Sequence, residues 1–139
     1  METAVRRVAG STVLVAEHDR PLLHALTDVL QKAGFRVIPA EDGASALQAF
    51  RTAPPDLILS DTSMPIIDGF GFLRAIRETQ EGKRTPFIFV SRQGSREDVL
   101  AALDAGADAY LSKPITSHEL LNLVRSRLQR FAELRQALA

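Results

Sequence analysis

Five short apolar runs, each closing on polar residues, restrict the fold of this chain more than any other feature. Thr12-Val13-Leu14-Val15-Ala16 (β1) breaks into Glu17-His18-Asp19-Arg20, and Phe35-Arg36-Val37-Ile38-Pro39 is β2. Leu57-Ile58-Leu59 (β3) runs into Ser60-Asp61, Phe87-Ile88-Phe89-Val90-Ser91 (β4) ends on a hydroxyl, and Ala109-Tyr110-Leu111 (β5) ends in Ser112-Lys113-Pro114. Runs this short, rich in β-branched and aromatic residues, read as strands buried on both faces. Pro39 suits an edge strand or a strand end, because it cannot donate to a ladder.

Between the runs, apolar residues recur at helical spacing. Leu22, Leu23, Leu26, Val29, Leu30 and Ala33 form α1, which Gly34 stops. Helix α2 covers about residues 44–52, with Ala46, Leu47 and Phe50 inward and Pro54-Pro55 closing it. Helix α3 covers about residues 70–80, with Leu73 and Ile76 inward; α4 covers 96–105, with Val99, Leu100 and Leu103 inward. Helix α5 begins near Thr116 or Ser117 and keeps its apolar spacing through Leu120, Leu121, Val124, Leu128, Phe131, Leu134 and Leu138. Strands alternating with helices imply an α/β fold in which right-handed crossovers build a parallel sheet covered on both sides. Of the two common doubly wound arrangements, the flavodoxin-like (βα)5 sheet, order 2-1-3-4-5, fits this length.

The chain has 139 residues, 45% of them hydrophobic, enough for one domain with a sizeable core. Lys plus Arg and Asp plus Glu both number 17, so there is no electrostatic footprint for direct nucleic-acid binding or for an anionic membrane. Zero Cys excludes disulfides, thiolate metal sites and a Cys nucleophile. Met1 to Val8 lacks the apolar core of a signal peptide, and no run approaches the roughly 18 apolar residues of a spanning helix. A cytoplasmic location is therefore expected. Residues 1–11 read as a flexible lead-in, 12–128 as the domain, and 129–139 as an extension of α5 that acts as a signalling helix into an output domain or as a dimer contact.

The chemistry gathers at the carboxyl ends of the strands, where open α/β sheets bind ligands. Those ends present Glu17, His18 and Asp19 after β1, Asp61 after β3, Ser91 after β4 and Lys113 after β5. Clustered acids make a hard-oxygen metal site, a hydroxyl holds a phosphoryl oxygen, and a Lys supplies fixed positive charge. These are the parts that phosphoryl transfer to a carboxylate requires. Taken alone, Asp61 reads equally well as a turn cap, Tyr110 as a half-buried strand aromatic, and Asp68-Gly69 as turn chemistry.

The set Glu17, Asp61-x-x-x-Pro65-x-x-Asp68-Gly69, Ser91, Gly106-Ala107-Asp108-Ala109-Tyr110 and Lys113-Pro114 resembles the receiver domain of two-component response regulators, a family known for this same strand order. The resemblance implies that Asp61 accepts a phosphoryl group from a histidine kinase or phosphotransfer protein, without conventional enzyme activity beyond self-phosphorylation and self-dephosphorylation. It implies Mg2+, or Mn2+ in its place, held by Asp61, Glu17 and the backbone carbonyl of Ser63, with His18 or Asp19 as a further ligand. Ser91 is the implied switch hydroxyl, Tyr110 the implied switch aromatic, Lys113 the phosphate partner, and the α4-β5-α5 face the surface that changes. Lys113-Pro114 is expected to be cis.

Two features depart from the family pattern. Glu17-His18 replaces an acidic pair, and a neutral imidazole suits softer ions better than magnesium. Arg92 follows Ser91 where a small residue is usual, and Ser63 and Gln93 stand where the family tunes the lifetime of the acyl phosphate. Two other readings follow: a pseudo-receiver that docks partners without phosphorylation, and an Asp-nucleophile phosphohydrolase, which as a family carries a second Asp where this chain has Ser63.

Overall fold

The computed structural model describes Val8 and residues 10–138. Most of the expected lead-in, residues 1–7 and Ala9, lies outside the described residues; Ser11 is buried and its carbonyl accepts the Arg36 amide at 3.0 Å. The elements run β1 Thr12–Ala16, α1 Arg20–Lys32, β2 Arg36–Ala40, α2 Gly43–Thr52, β3 Leu57–Ser60, α3 Gly69–Arg77, a 3-10 turn Gly82–Arg84, β4 Phe87–Ser91, α4 Arg96–Asp104, β5 Ala109–Ser112 and α5 Ser117–Leu138. All strands pair in parallel in the order β2-β1-β3-β4-β5, the doubly wound flavodoxin-like arrangement. Pro39 lies in β2, the edge strand.

The period of two along each strand sorts side chains onto two faces. Leu14, Ile58, Phe87 and Phe89 pack against α2, α3 and Ala102 of α4. Val13, Val15, Leu57, Leu59, Ile88 and Val90 pack against α1 and α5. Burying each such side chain contributes about 1.5–3 kcal/mol, so the three central strands, apolar on both faces, anchor the domain.

Caps set most helix starts. Asp19, Asp42, Asp68 and Ser95 each accept a backbone amide of the first turn. At α5 the cap is Thr116, which accepts the Glu119 amide at 3.1 Å and donates to Glu119 Oε1 at 3.0 Å. That variant of a capping box was readable from the Thr116-x-x-Glu119 spacing.

Two expectations about helices fail. Helix α3 ends at Arg77, because the chain tightens into the 3-10 turn. In α4, Leu100 and Leu103 are 48% and 44% exposed, whereas Ala102 is fully buried. The helix therefore turns an alanine to the sheet and its leucines to solvent, a choice that spacing alone does not settle when apolar residues surround the axis.

Candidate functional site

Each chemical residue at the sheet's carboxyl edge follows directly from the ladder. Ala16 pairs with Ser60, and Ser91 pairs with Ser112. Glu17 N donates to Ala40 O at 2.9 Å, Asp61 N to Ala16 O at 2.9 Å, and Lys113 N to Ser91 O at 2.8 Å. Glu17, Asp61 and Lys113 thus keep backbone bonds to neighbouring strands while their side chains leave the pleat. One open cleft of about 360 Å³ is lined by Glu17, His18, Asp19, Asp61, Thr62, Ser63, Ser91, Arg92, Gln93 and Lys113.

At its floor lie two carboxylates and one ammonium. Lys113 Nζ stands 3.0 Å from Glu17 Oε1 and 3.1 Å from Asp61 Oδ2, and the Lys113–Pro114 peptide bond is cis. Glu17 is 1% exposed. Its Oε2 accepts the Asp19 amide at 3.1 Å, and its Oε1 pairs with the Lys113 ammonium. Burial, then the neighbouring Asp61 side chain, push the Glu17 carboxyl above its ordinary range against the opposing pull of the Asp19 amide and Lys113.

This shift has a sign that can be measured. With the folded value raised, Glu17's contribution to stability is greatest below the ordinary glutamate value of 4.5 and is lost as pH rises through the raised one. In chelator-treated buffer, Glu17→Gln is expected to become more stable relative to the parent as pH rises from 4.5 to neutrality, in urea unfolding. A stability difference that stays flat over this range would contradict the assignment.

The surrounding loops fix the acids. Ser63 N donates to Asp61 Oδ1 at 3.3 Å, and Ser60 Oγ donates to Asp61 O at 2.9 Å. Asp68 caps α3 by accepting from Gly71 N at 2.8 Å, and Gly69 N donates to Thr62 O at 2.9 Å. Gly69 is required by space rather than by its turn: a Cβ there would sit 2.1 Å from Asp61 O and 2.8 Å from Thr62 Cα. In the same loop Ile66 is 80% exposed at φ 74°, a strained conformation for a β-branched residue.

The other candidates divide. Ser91 is buried beside Thr62, with the two hydroxyl oxygens 2.6 Å apart, and Ser91 Oγ accepts the Gln93 amide at 3.1 Å. Tyr110 is half-buried, packs near Phe89 at a ring-centroid distance of 6.3 Å, and donates its hydroxyl to the Gln93 carbonyl. Asp19 spends Oδ1 on capping α1, and its Oδ2 lies 4.0 Å from Arg92 Nη2. His18 and Arg92 are exposed on the rim. Thr62 had no sequence signal; only its hydroxyl's encounter with Ser91, 29 residues away, singles it out.

The donor chemistry suits a hard divalent cation. Among the described residues, no group of three or more His, Cys, Asp or Glu is placed to hold a metal. Magnesium does not need such a cage: one or two carboxylates suffice, with water completing the octahedron. Glu17 and Asp61 supply that pair, and the two carboxylates face a single ammonium, which leaves negative charge at the cleft floor for a cation.

The domain architecture has clear relatives. The chain is 38% identical over 118 residues to the transcriptional regulatory protein CpxR of Escherichia coli K12, covering 85% of this chain and 49% of that protein. Against the transcriptional regulatory protein PrrA of Mycobacterium tuberculosis it is 37% identical over 123 residues, 88% of this chain and 52% of the relative. The chain thus spans about half the length of the curated relatives it matches. A Francisella response regulator receiver domain superposes with a TM-score of 0.82 at 31% identity, over 87% of this chain and 98% of that one. The receiver domain of the Pseudomonas aeruginosa sensor histidine kinase PA1611, with a magnesium ion coordinated in its active-site cleft, superposes with a TM-score of 0.80 at 29% identity, over 86% and 98%. Among the described residues no helix is long and apolar enough to cross a membrane. Residues 13–125 match the response regulator receiver domain model, and the chain belongs to that family of two-component signalling proteins.

Proposed function

We propose that this receiver domain accepts one phosphoryl group on Asp61 from the phosphohistidine of a histidine kinase or phosphotransfer protein. The observation that carries this reading is the Asp61 carboxylate held 3.1 Å from Lys113 at the floor of an open cleft, with Glu17 against the same ammonium. An Asp61 oxygen attacks phosphorus, the P–N bond breaks with its electron pair going to the imidazole, and an aspartyl phosphate forms.

Glu17, Asp61 and the backbone carbonyl of Ser63 would hold Mg2+, which supplies neutralisation of charge on the transferring oxygens. Lys113 balances one of the two carboxylates beforehand and pairs with the phosphoryl oxygen afterwards. Ser91 contributes a hydroxyl donor. The added charge of about −1.5 to −2 is what these donors respond to. His18 sits on the rim with both carboxylates left to the cation, which favours phosphorylation over a pseudo-receiver role.

The switch runs through Tyr110, because its hydroxyl ties β5 to the Gln93 carbonyl in the loop that carries Ser91. Movement of Ser91 would release that tie and reshape the α4-β5-α5 face, where Leu100 and Leu103 are already exposed. Residues 129–139 would carry the change into an output domain or a second copy, in a cytoplasmic pathway. The domain acts as a regulated acceptor whose own chemistry is limited to self-phosphorylation and self-dephosphorylation.

Incubation with acetyl phosphate and magnesium, followed by intact mass, is expected to add one phosphoryl group to the parent and none to Asp61→Asn. Equal labelling of both proteins would remove Asp61 from this role.

A further inference from the structure

Thr62 and Ser91 follow or close adjacent strands, and their hydroxyl oxygens meet at 2.6 Å with both residues buried. A hydroxyl carries one proton and two lone pairs. One lone pair of Ser91 Oγ already takes the Gln93 amide at 3.1 Å. Among the described residues, neither hydroxyl has another side-chain hydrogen bond. The pair therefore has two polarities. If Ser91 donates to Thr62, the Thr62 proton is left without an acceptor; if Thr62 donates to Ser91, the Ser91 proton is available to the cleft.

We infer that Thr62 is a positioning residue that aims the Ser91 proton at a phosphoryl oxygen on Asp61. This deepens the reading of Asp61 as phosphoryl acceptor and rests on it. An anion on Asp61 selects the second polarity, giving a chain from Thr62 through Ser91 to the phosphoryl oxygen. Hydrogen bonds in such a chain polarise one another where the surroundings are dry. Thr62 is suited to the task because its carbonyl is fixed by Gly69 N at 2.9 Å, which holds its backbone in place. Being next to Asp61 in the chain, it also keeps the hydroxyl at a set distance from the acceptor. Without it, Ser91 retains only the Gln93 contact and its proton has no preferred direction.

The test uses beryllium trifluoride with magnesium as a phosphoryl mimic, titrated into the full chain by calorimetry. Thr62→Val keeps the shape and removes the hydroxyl, and is expected to bind the mimic about fivefold to tenfold more weakly. Thr62→Ser, which keeps the hydroxyl, is expected to bind like the parent. In a Ser91→Ala background Thr62→Val should have no further effect, since the two act as one unit. In the absence of metal and mimic, the Gln93 amide should exchange with solvent faster in Thr62→Val than in the parent or Thr62→Ser. If Thr62→Val does not fold, Thr62→Ala carries the same comparison. Unchanged affinity in the hydroxyl-free variant would overturn the inference, as would a weakening that persists in the Ser91→Ala background or that Thr62→Ser shares. If the parent itself fails to bind the mimic, the phosphoacceptor reading falls and takes this inference with it; parental binding with an indifferent Thr62→Val removes the inference alone.

Discussion

Arg77→Ala is expected to cost about 3 kcal/mol of stability. The guanidinium stands at the end of α3, with its side chain only 21% exposed. Nε and Nη2 donate to the Gly106 carbonyl at 3.2 and 2.8 Å, Nη1 to the carbonyls of Gly82 and Thr85, and Nη2 to Asp108 Oδ2 at 3.0 Å. Asp108 Oδ2 in turn accepts the Phe87 amide at 2.8 Å, at the start of β4. One planar donor fork therefore joins α3, the 3-10 turn and the connections leading into β4 and β5. Burial lowers the Arg77 pKa and Asp108 opposes that shift, as expected of a cation held by its partners rather than by water.

Truncation would leave three carbonyls and a carboxylate short of their donor, a loss far above the 0–1 kcal/mol of an exposed ion pair. Urea unfolding should show a lower midpoint with an unchanged slope, and the melting temperature should fall by about 6–12 °C. Arg77→Lys should recover only part of this, because an ammonium cannot span the same fork. A loss under about 1 kcal/mol for the alanine variant would show that the network is replaced by water at little cost.

The second large effect is expected at Gly69. An alanine Cβ would meet Asp61 O at 2.1 Å, Thr62 Cα at 2.8 Å and Phe89 Cε1 at 2.8 Å. Two of those three atoms are backbone, so no rotamer change relieves the clash, and the start of α3 must move away from the end of β3. Overpacking of this kind costs about 1–3 kcal/mol. The effect on the site should exceed the effect on stability. A displacement of about 1 Å at a reacting group lowers rates by about a hundredfold, and the most crowded atom is the backbone oxygen of Asp61 itself. Gly69→Ala is therefore expected to fold, with labelling by acetyl phosphate reduced by about that factor. Gly71→Ala is the matched control: its Cβ meets only side-chain atoms, Ile67 Cγ2 at 3.1 Å and Asp68 Oδ1 at 3.4 Å, inside a helix that favours alanine over glycine. Equal labelling rates for the two variants would refute the packing argument.

These two residues mark where sequence reasoning stopped. The strands were legible because an apolar run buried on both faces leaves few alternatives, and their ends located Glu17, Asp61, Ser91 and Lys113 without any contact being known. Gly69 was read as turn chemistry, since the chain alone does not disclose how closely α3 approaches Asp61. Arg77 carries no signal in the sequence; its partners Gly106 and Asp108 lie 29 and 31 residues away. Thr62 was hidden for the same reason. For Leu100 and Leu103, helical spacing gives a stripe but not which side of a mixed stripe the sheet takes. His18 adjoins Glu17 in the chain, yet the turn sends it to the rim while the Asp19 amide, one residue on, binds the Glu17 carboxylate.

The central claim is that Asp61, and no other group in the cleft, receives the phosphoryl group. Borohydride reduction of the acetyl-phosphate-treated protein converts an aspartyl phosphate to homoserine, a change that peptide mass spectrometry localises to one residue. Homoserine is expected at position 61, dependent on magnesium and absent without phosphodonor. Reduction at Glu17 or Asp19 instead, or a stable phosphate on Ser91 or Thr62 with Asp61 untouched, would contradict it.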